Sequence, residues 1–170
     1  ATNTNSASSK SSPPADPYAR FRLSNTAEPL KTLVKRDSAL ILENARFDTH
    51  QPLAVSIPEH LRAKDDPGSY LIKSAGRADD AFKARLQAAG LSLVAYFPHD
   101  AWLVRGSKSQ AESLSGQPGI AAVLPFEPYY KLKSSLLALA VEEKPLPPGM
   151  YLNLLLFSDA REATTRALTS

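Results

Sequence analysis

The sequence predicts an α+β domain, and three observations carry that expectation. Apolar residues recur at helical spacing twice, as Phe82, Leu86 and Ala89 and again as Ala111 and Leu114. Strand-like runs stand at Tyr70-Leu71-Ile72-Lys73, Leu91 to Phe97, Ala101 to Arg105 and Ile120 to Phe126. Turn signals at Asp66-Pro67-Gly68, Gly90, Pro98-His99-Asp100 and Gly116-Gln117-Pro118-Gly119 separate them.

Taken in order, residues 1–37 read as a disordered or extended tail. Ala1 to Pro17 is Ser, Thr, Asn, Ala and Pro with almost no large apolar side chain to offset ordering entropy. Residues 38–68 read as an extended arm, with Ala39 to Glu43 a short strand and Pro52 and Pro58 as breakers. Residues 69–133 hold the regular unit. Asp79 and Asp80 suit a helix N-terminus, and Gly90 a helix end. Leu91, Leu93, Ala95 and Phe97 alternate with Ser92, Val94 and Tyr96, and Ala101 to Arg105 lies at hairpin distance. Ser107 with Gln110, or Ser109 with Glu112, fits a capping box for the second helix. The order strand, helix, strand, strand, helix, strand is that of a ferredoxin-like split βαβ unit, βαββαβ.

Residues 134–149 read as a Pro-rich linker around Pro145-Leu146-Pro147-Pro148-Gly149. Residues 150–170 then look like the first strand, Tyr151 to Phe157, and the first helix of a second, incomplete unit. A lone strand and helix form no core, so either the chain is cut short there or another chain supplies the missing half. Tyr151, Leu152, Leu154, Leu156 and Phe157 are the residues such a shared unit would bury.

The chain has 170 residues, 43% hydrophobic and 22% charged, with 14 prolines and only 7 glycines, so it should fold with stiff connections. The formal net charge of +3, from 20 basic and 17 acidic residues in mixed order, is too small for a nucleic-acid footprint. No cysteine is present, which removes disulfides, thiol nucleophiles and thiolate metal sites. No apolar run approaches the roughly 18 residues of a membrane span. A start at Ala1 without methionine fits signal-peptide removal, and trimming explains it equally well.

Candidate chemistry is sparse. Of the three histidines, His99 adjoins Asp100 and His50 lies near Asp48, but neighbours on a turn point apart and no nucleophile elbow or His-x-x-x-His spacing accompanies them. Asp65-Asp66 and Asp79-Asp80 read as loop and cap carboxylates. No cofactor or metal is expected. The polar, proline-broken exit, Phe126, Glu127, Tyr129, Tyr130, Lys131 and Leu132, is expected to present its aromatic rings to a partner.

Several of these stretches also carry a resemblance. Tyr70-Leu71-Ile72-Lys73, Ala88-Ala89-Gly90-Leu91, and Ala95-Tyr96-Phe97-Pro98-His99-Asp100-Ala101-Trp102-Leu103-Val104-Arg105 resemble the N-terminal pro-region of large secreted bacterial subtilisin-like serine proteases. Leu114 to Val123 and the exit Glu127-Pro128-Tyr129-Tyr130-Lys131-Leu132 are similar to that family's second helix, last strand and exit segment. The resemblance implies a non-catalytic propeptide that assists folding, packs a sheet face on the catalytic chain of the same precursor and inhibits it. It also implies a secreted or extracytoplasmic location, with Ser170 as the expected processing end. The subtilase motifs Asp-[Ser/Thr]-Gly, His-Gly-[Thr/Ser]-His and Gly-Thr-Ser-Met do not occur in this sequence. The alternative expectation is a free-standing ferredoxin-like interaction or surface-attachment module with a non-protease partner.

Overall fold

The computed structural model describes residues 16–157 and 162–169. It is α+β with two sheets. The first sheet comes from the N-terminal third of the chain. After a 3-10 turn at Ala19–Phe21 come β1 (Leu23–Ser24), α1 (Leu30–Leu33), β2 (Ala39–Ile41) and β3 (Ala45–Asp48). Strand order is β1-β3-β2, with β1 parallel and β2 antiparallel to β3. Asn25 fixes the end of β1 to β3: its Oδ1 accepts from the Asp48 amide at 2.9 Å, and its Nδ2 donates to the Asp48 carbonyl at 2.9 Å.

The second sheet follows the expected element order. It contains β4 (Ser69–Ser74), α2 (Asp80–Ala88), β5 (Ser92–Phe97), β6 (Ala101–Arg105), α3 (Lys108–Glu112) and β7 (Ile120–Pro125). Strand order is β5-β6-β4-β7, and every neighbouring pair is antiparallel. Local chemistry fixes the helices. Asp79 caps α2 by accepting from the Phe82 amide at 3.0 Å, and Gly90, at φ +81°, turns the chain out of it. Of the two capping boxes the sequence offers, Ser107 with Gln110 is the one that forms.

The four-stranded sheet is covered on both faces, which is why β4 is buried at all six positions. On one face Tyr70, Ile72 and Val104 pack with Phe82, Leu86, Leu91, Ala111 and Leu114. On the other, Leu71, Ala101, Leu103 and Leu124 pack with Leu40, Leu42, Ala45 and Phe47 of the first sheet. Each large apolar side chain buried this way contributes about 1.5–3 kcal/mol, so the second layer is as much part of the core as the helical one.

Four expectations change at this point. The segment from residue 17 to 37 is structured, because Phe21 and Leu23 pack against the core and Leu33 is fully buried; residues 1–15 of the expected tail lie outside the described residues. The first part of the extended arm, Ala39–Ile41 with Ala45–Asp48, is a paired antiparallel hairpin. The expected linker begins with α5 (Ser134–Val141), anchored by buried Leu137, after the short α4 (Pro128–Lys131). Tyr151 to Phe157 is not a strand, since no described strand pairs with it, although α6 (Glu162–Thr169) follows it. The residues expected to cap that helix, Ser158 and Asp159, and the expected processing end Ser170 lie outside the described residues.

Candidate functional site

The exit segment is not displayed to solvent as expected. Phe126, Tyr129 and Tyr130 are buried, and Tyr129 is 1% exposed. Their rings interlock: Phe126 with Phe97 at 6.2 Å, Tyr130 with Phe47 at 6.0 Å, and Tyr129 with Tyr130 at 6.2 Å. The Tyr129 hydroxyl donates to the Phe21 carbonyl. Burial, with the Glu127 carboxylate adding to it, pushes the Tyr130 hydroxyl well above the usual phenol range. Glu127 accepts from the Ala63 amide at 2.6 Å, Lys131 lies over the Phe126 ring at 5.7 Å, and the Leu132 carbonyl accepts from Asn44. The polar residues that suggested exposure are thus tethers, and the rings fill the space between the layers.

The Pro98-His99-Asp100 turn is also more than a solvated turn. His99 and Asp100 both take left-handed backbone, at φ 66° and 57°. The Asp100 carboxylate accepts from the Ala78 amide at 2.9 Å, and its carbonyl from the Ser74 amide at 2.8 Å. Lys73, 2% exposed, donates from Nζ to the His99 carbonyl at 2.5 Å, and burial lowers its pKa. His99 Nε2 sits 3.0 Å from the Val34 carbonyl, which ties the turn to the end of α1. Most polar groups here bond to backbone, the Asp100 amide donates to the Tyr96 hydroxyl at 3.3 Å, and His99 Nδ1 is buried without a hydrogen-bond partner among the described residues, so the cluster chiefly positions loops.

The carboxylate pairs behave as caps and ties. Asp66 accepts from the Tyr70 hydroxyl at 2.7 Å, the Gly68 amide at 2.8 Å and the Lys108 amide at 2.6 Å, and these bonds hold its pKa low. Asp48 accepts from the His50 amide at 3.0 Å, and His60 Nε2 meets the Ala140 carbonyl at 2.8 Å. Trp102 faces α2, edge-on to Tyr96 at 5.9 Å, with Lys83 Nζ 5.8 Å from its ring centroid. Among the described residues no group of His, Cys, Asp and Glu is arranged to hold a metal ion, and no helix is long and apolar enough to cross a membrane.

Two features remain that a partner could use. The first is Tyr151 to Phe157. Tyr151 is 94% and Leu155 99% exposed, while Leu152, Leu154 and Leu156 on the other parity are each partly covered. Phe157 packs at the margin of the core beside Arg105, whose guanidinium is 5.8 Å from the ring. The run is therefore anchored at its end and exposes apolar side chains on both parities, Tyr151 and Leu155 most fully, with Asn153 between them. The second is the outer edge of β7, flanked by a groove of about 250 Å³ on the first-sheet side and one of about 370 Å³ on the helical side. The two grooves meet at Pro125 and Glu127.

Sequence reasoning singled out the exposed run and missed the grooves. Their walls come from Leu53 to Ala63, from α3 and from β7, which are brought together only by the sheet order.

Among families, a model described as "Domain of unknown function (DUF8729)" matches residues 34–127. That span begins at the end of α1 and ends as β7 runs out, so it takes in the β2–β3 hairpin together with the whole four-stranded sheet. No curated protein and no solved structure matches the chain.

Proposed function

The chain belongs to the DUF8729 family, and from that starting point we propose that it is the non-catalytic pro-region of a secreted subtilisin-like serine protease, a folding assistant and inhibitor of the catalytic chain. Under this reading residues 69–133 form a ferredoxin-like propeptide unit, supported by the all-antiparallel order β5-β6-β4-β7 with both helices on one face. The observation that carries the reading is the uncharged, outward-facing run Tyr151 to Leu156, presented beyond a body that is otherwise packed. Such a run has the length and character to pair as a strand with the catalytic chain, the partner from the same precursor. Pairing would also supply the strand neighbour that Tyr151, Leu152, Leu154, Leu156 and Phe157 need to become the start of a second, shared unit.

Docking by the open sheet face, as in the propeptides this sequence resembles, needs a free face. Here that face carries Leu40, Phe47, Tyr129 and Tyr130 of the same chain. Contact therefore falls to the C-terminal run and to sheet edges. The same observation favours a second reading, a free-standing ferredoxin-like interaction or surface-attachment module whose partner is not a protease.

The two separate in one experiment. The full chain is mixed with a purified subtilisin-type endopeptidase and residual peptidase activity is followed against chain concentration, beside a variant carrying Tyr151→Asp and Leu155→Asp. Saturable inhibition that the variant loses supports the pro-region reading. Absence of inhibition, or inhibition that the variant retains in full, sinks it.

A further inference from the structure

We propose that the outer edge of β7 is a receptor for an extended peptide segment in which cationic and apolar side chains alternate. The proposal stands on edge geometry, whether or not the partner of the C-terminal run is a protease.

Among the described residues strand β7 pairs only with β4, so one side of its backbone faces outward. The Phe126 amide donates to the Ser69 carbonyl at 2.9 Å, and Leu71 stands opposite Leu124 in the register. Alternation then turns the polar groups of Leu124 and Ala122 toward β4, and the amide and carbonyl of Val123 away from it. The Pro125 carbonyl points outward as well, and at that position proline costs the β4 ladder nothing because its missing N–H would have faced solvent. Proline also shortens the row of free donors, which protects the edge from indiscriminate pairing while leaving Val123 able to pair in both directions. Both edge strands carry a register slip, β5 in its middle between Leu93 and Ala95 and β7 at its start between Ile120 and Ala122, so Ala122 to Pro125 keep an unbroken alternation.

The two grooves give an added strand its specificity. Side chains of a strand alternate between faces, so successive residues of a segment lying beside β7 would drop into the two grooves in turn. Residues opposite Leu124 enter the groove walled by Leu53, Val55, Ile57 and Tyr130, with Arg62 tied to the Ile57 and Val55 carbonyls and Glu127 at its rim, where the apolar walls suit an apolar side chain and the Arg62 guanidinium disfavours a cationic one. Residues opposite Val123 and Pro125 enter the groove that holds Asp65, Glu112 and Glu127 against the single ammonium of Lys108. Lys108 is itself drawn to Glu112, at 3.8 Å. Three carboxylates against one cation favour lysine or arginine on that side.

The test uses the full chain and the peptide acetyl-Lys-Val-Lys-Val-Lys-amide, with acetyl-Glu-Val-Glu-Val-Glu-amide as its counterpart. Amide shifts and hydrogen exchange are followed by NMR up to millimolar peptide. The lysine peptide should bind about tenfold more tightly than the glutamate peptide at low salt, with that margin shrinking as salt rises. It should slow exchange at the Val123 amide, and Glu112→Lys, at an exposed position, should reduce or reverse the preference. Equal binding of the two peptides, no binding of either, or shifts mapping to Ser92–Phe97 or Tyr151 to Phe157 in place of β7 would overturn the proposal.

Discussion

Asn44 and Tyr129, far apart in the chain, meet in a hydrogen bond: the Asn44 side-chain Nδ2 donates to the Tyr129 carbonyl at 3.3 Å. The same amide group donates to the Leu132 carbonyl and accepts from the Ser134 hydroxyl at 3.0 Å, while the Asn44 backbone carbonyl accepts from the Leu23 amide at 2.9 Å. One buried residue thus joins β1, the β2–β3 turn and the exit segment, and it has no exposed surface.

Asn44→Ala should therefore cost about 1–3 kcal/mol, because it takes the partner from the buried Tyr129 carbonyl and from the half-buried Leu132 carbonyl and Ser134 hydroxyl at once. Urea unfolding monitored by Trp102 fluorescence measures this directly. A loss below about 0.5 kcal/mol, the usual scale of surface changes, would mean that the first sheet is held by apolar packing alone.

Two positions on the helical face of the second sheet should respond differently to charge. Leu86 on α2 is fully buried in the apolar cluster under the sheet, where a carboxylate would be cut off from water, so Leu86→Asp should cost roughly 4 kcal/mol or more and unfold the domain. Trp102 lies on the same face but is only partly covered, and an aspartate there can reach water. Trp102→Asp should cost about 1–2 kcal/mol and leave a folded protein. Amide dispersion in NMR spectra separates the two outcomes, and equal damage from both would contradict this account of the helical face.

How much of this was legible beforehand differs by region. Asp79 ahead of Phe82 and Leu86, and Ser107 ahead of Gln110, are local signals, and the elements they mark fold where the sequence places them. Phe47 and Tyr129 gave no such signal, since each is buried by residues distant in the chain and sits in a stretch that is locally polar or irregular. The prolines at Pro145, Pro147 and Pro148 drew the expected linker too far back, over a helix that its apolar residues Leu136 to Val141 build. Tyr151 to Phe157 shows the opposite error. Strand propensity is high there, but a strand exists only where another strand pairs with it, and propensity carries no information about that neighbour.

Alkaline stability follows from the buried phenols. Desolvation raises the hydroxyls of Tyr70, Tyr129 and Tyr130 above their ordinary value of 10.0. A phenol that stays protonated in the folded chain after it has ionised in the unfolded chain contributes stability that is complete below the unfolded pKa. That stability is lost as pH rises beyond it. Lys73 and Lys131 work in the other direction, because burial lowers both and makes the folded chain bind fewer protons just below 10.5. With three phenols against two lysines, unfolding free energy should fall above pH of about 10, and Tyr130→Phe should flatten that fall. Urea midpoints between pH of about 8 and 11 test it, and a profile unchanged by Tyr130→Phe would remove Tyr130 from the account.

The final prediction concerns the exposed run. Backbone amides from Leu152 to Phe157 have no strand neighbour, and Tyr151 and Leu155 stand almost wholly in water, so in the isolated chain these amides should exchange close to the rate of an unstructured peptide. Those of β4, between two covered faces, should exchange only on global opening. If the run pairs with a second chain, two changes must appear together: slow exchange on alternate amides, as one strand edge becomes bonded, and loss of exposure at Tyr151 and Leu155, as those side chains are covered. Adding the catalytic chain of a subtilisin-type protease should produce both if the pro-region reading holds, and Leu155→Asp should abolish both without moving the melting temperature of the domain. Strong protection of Leu152 to Phe157 in the isolated chain would instead mean that the run already has its partner, and would remove the need for a second chain to cover it.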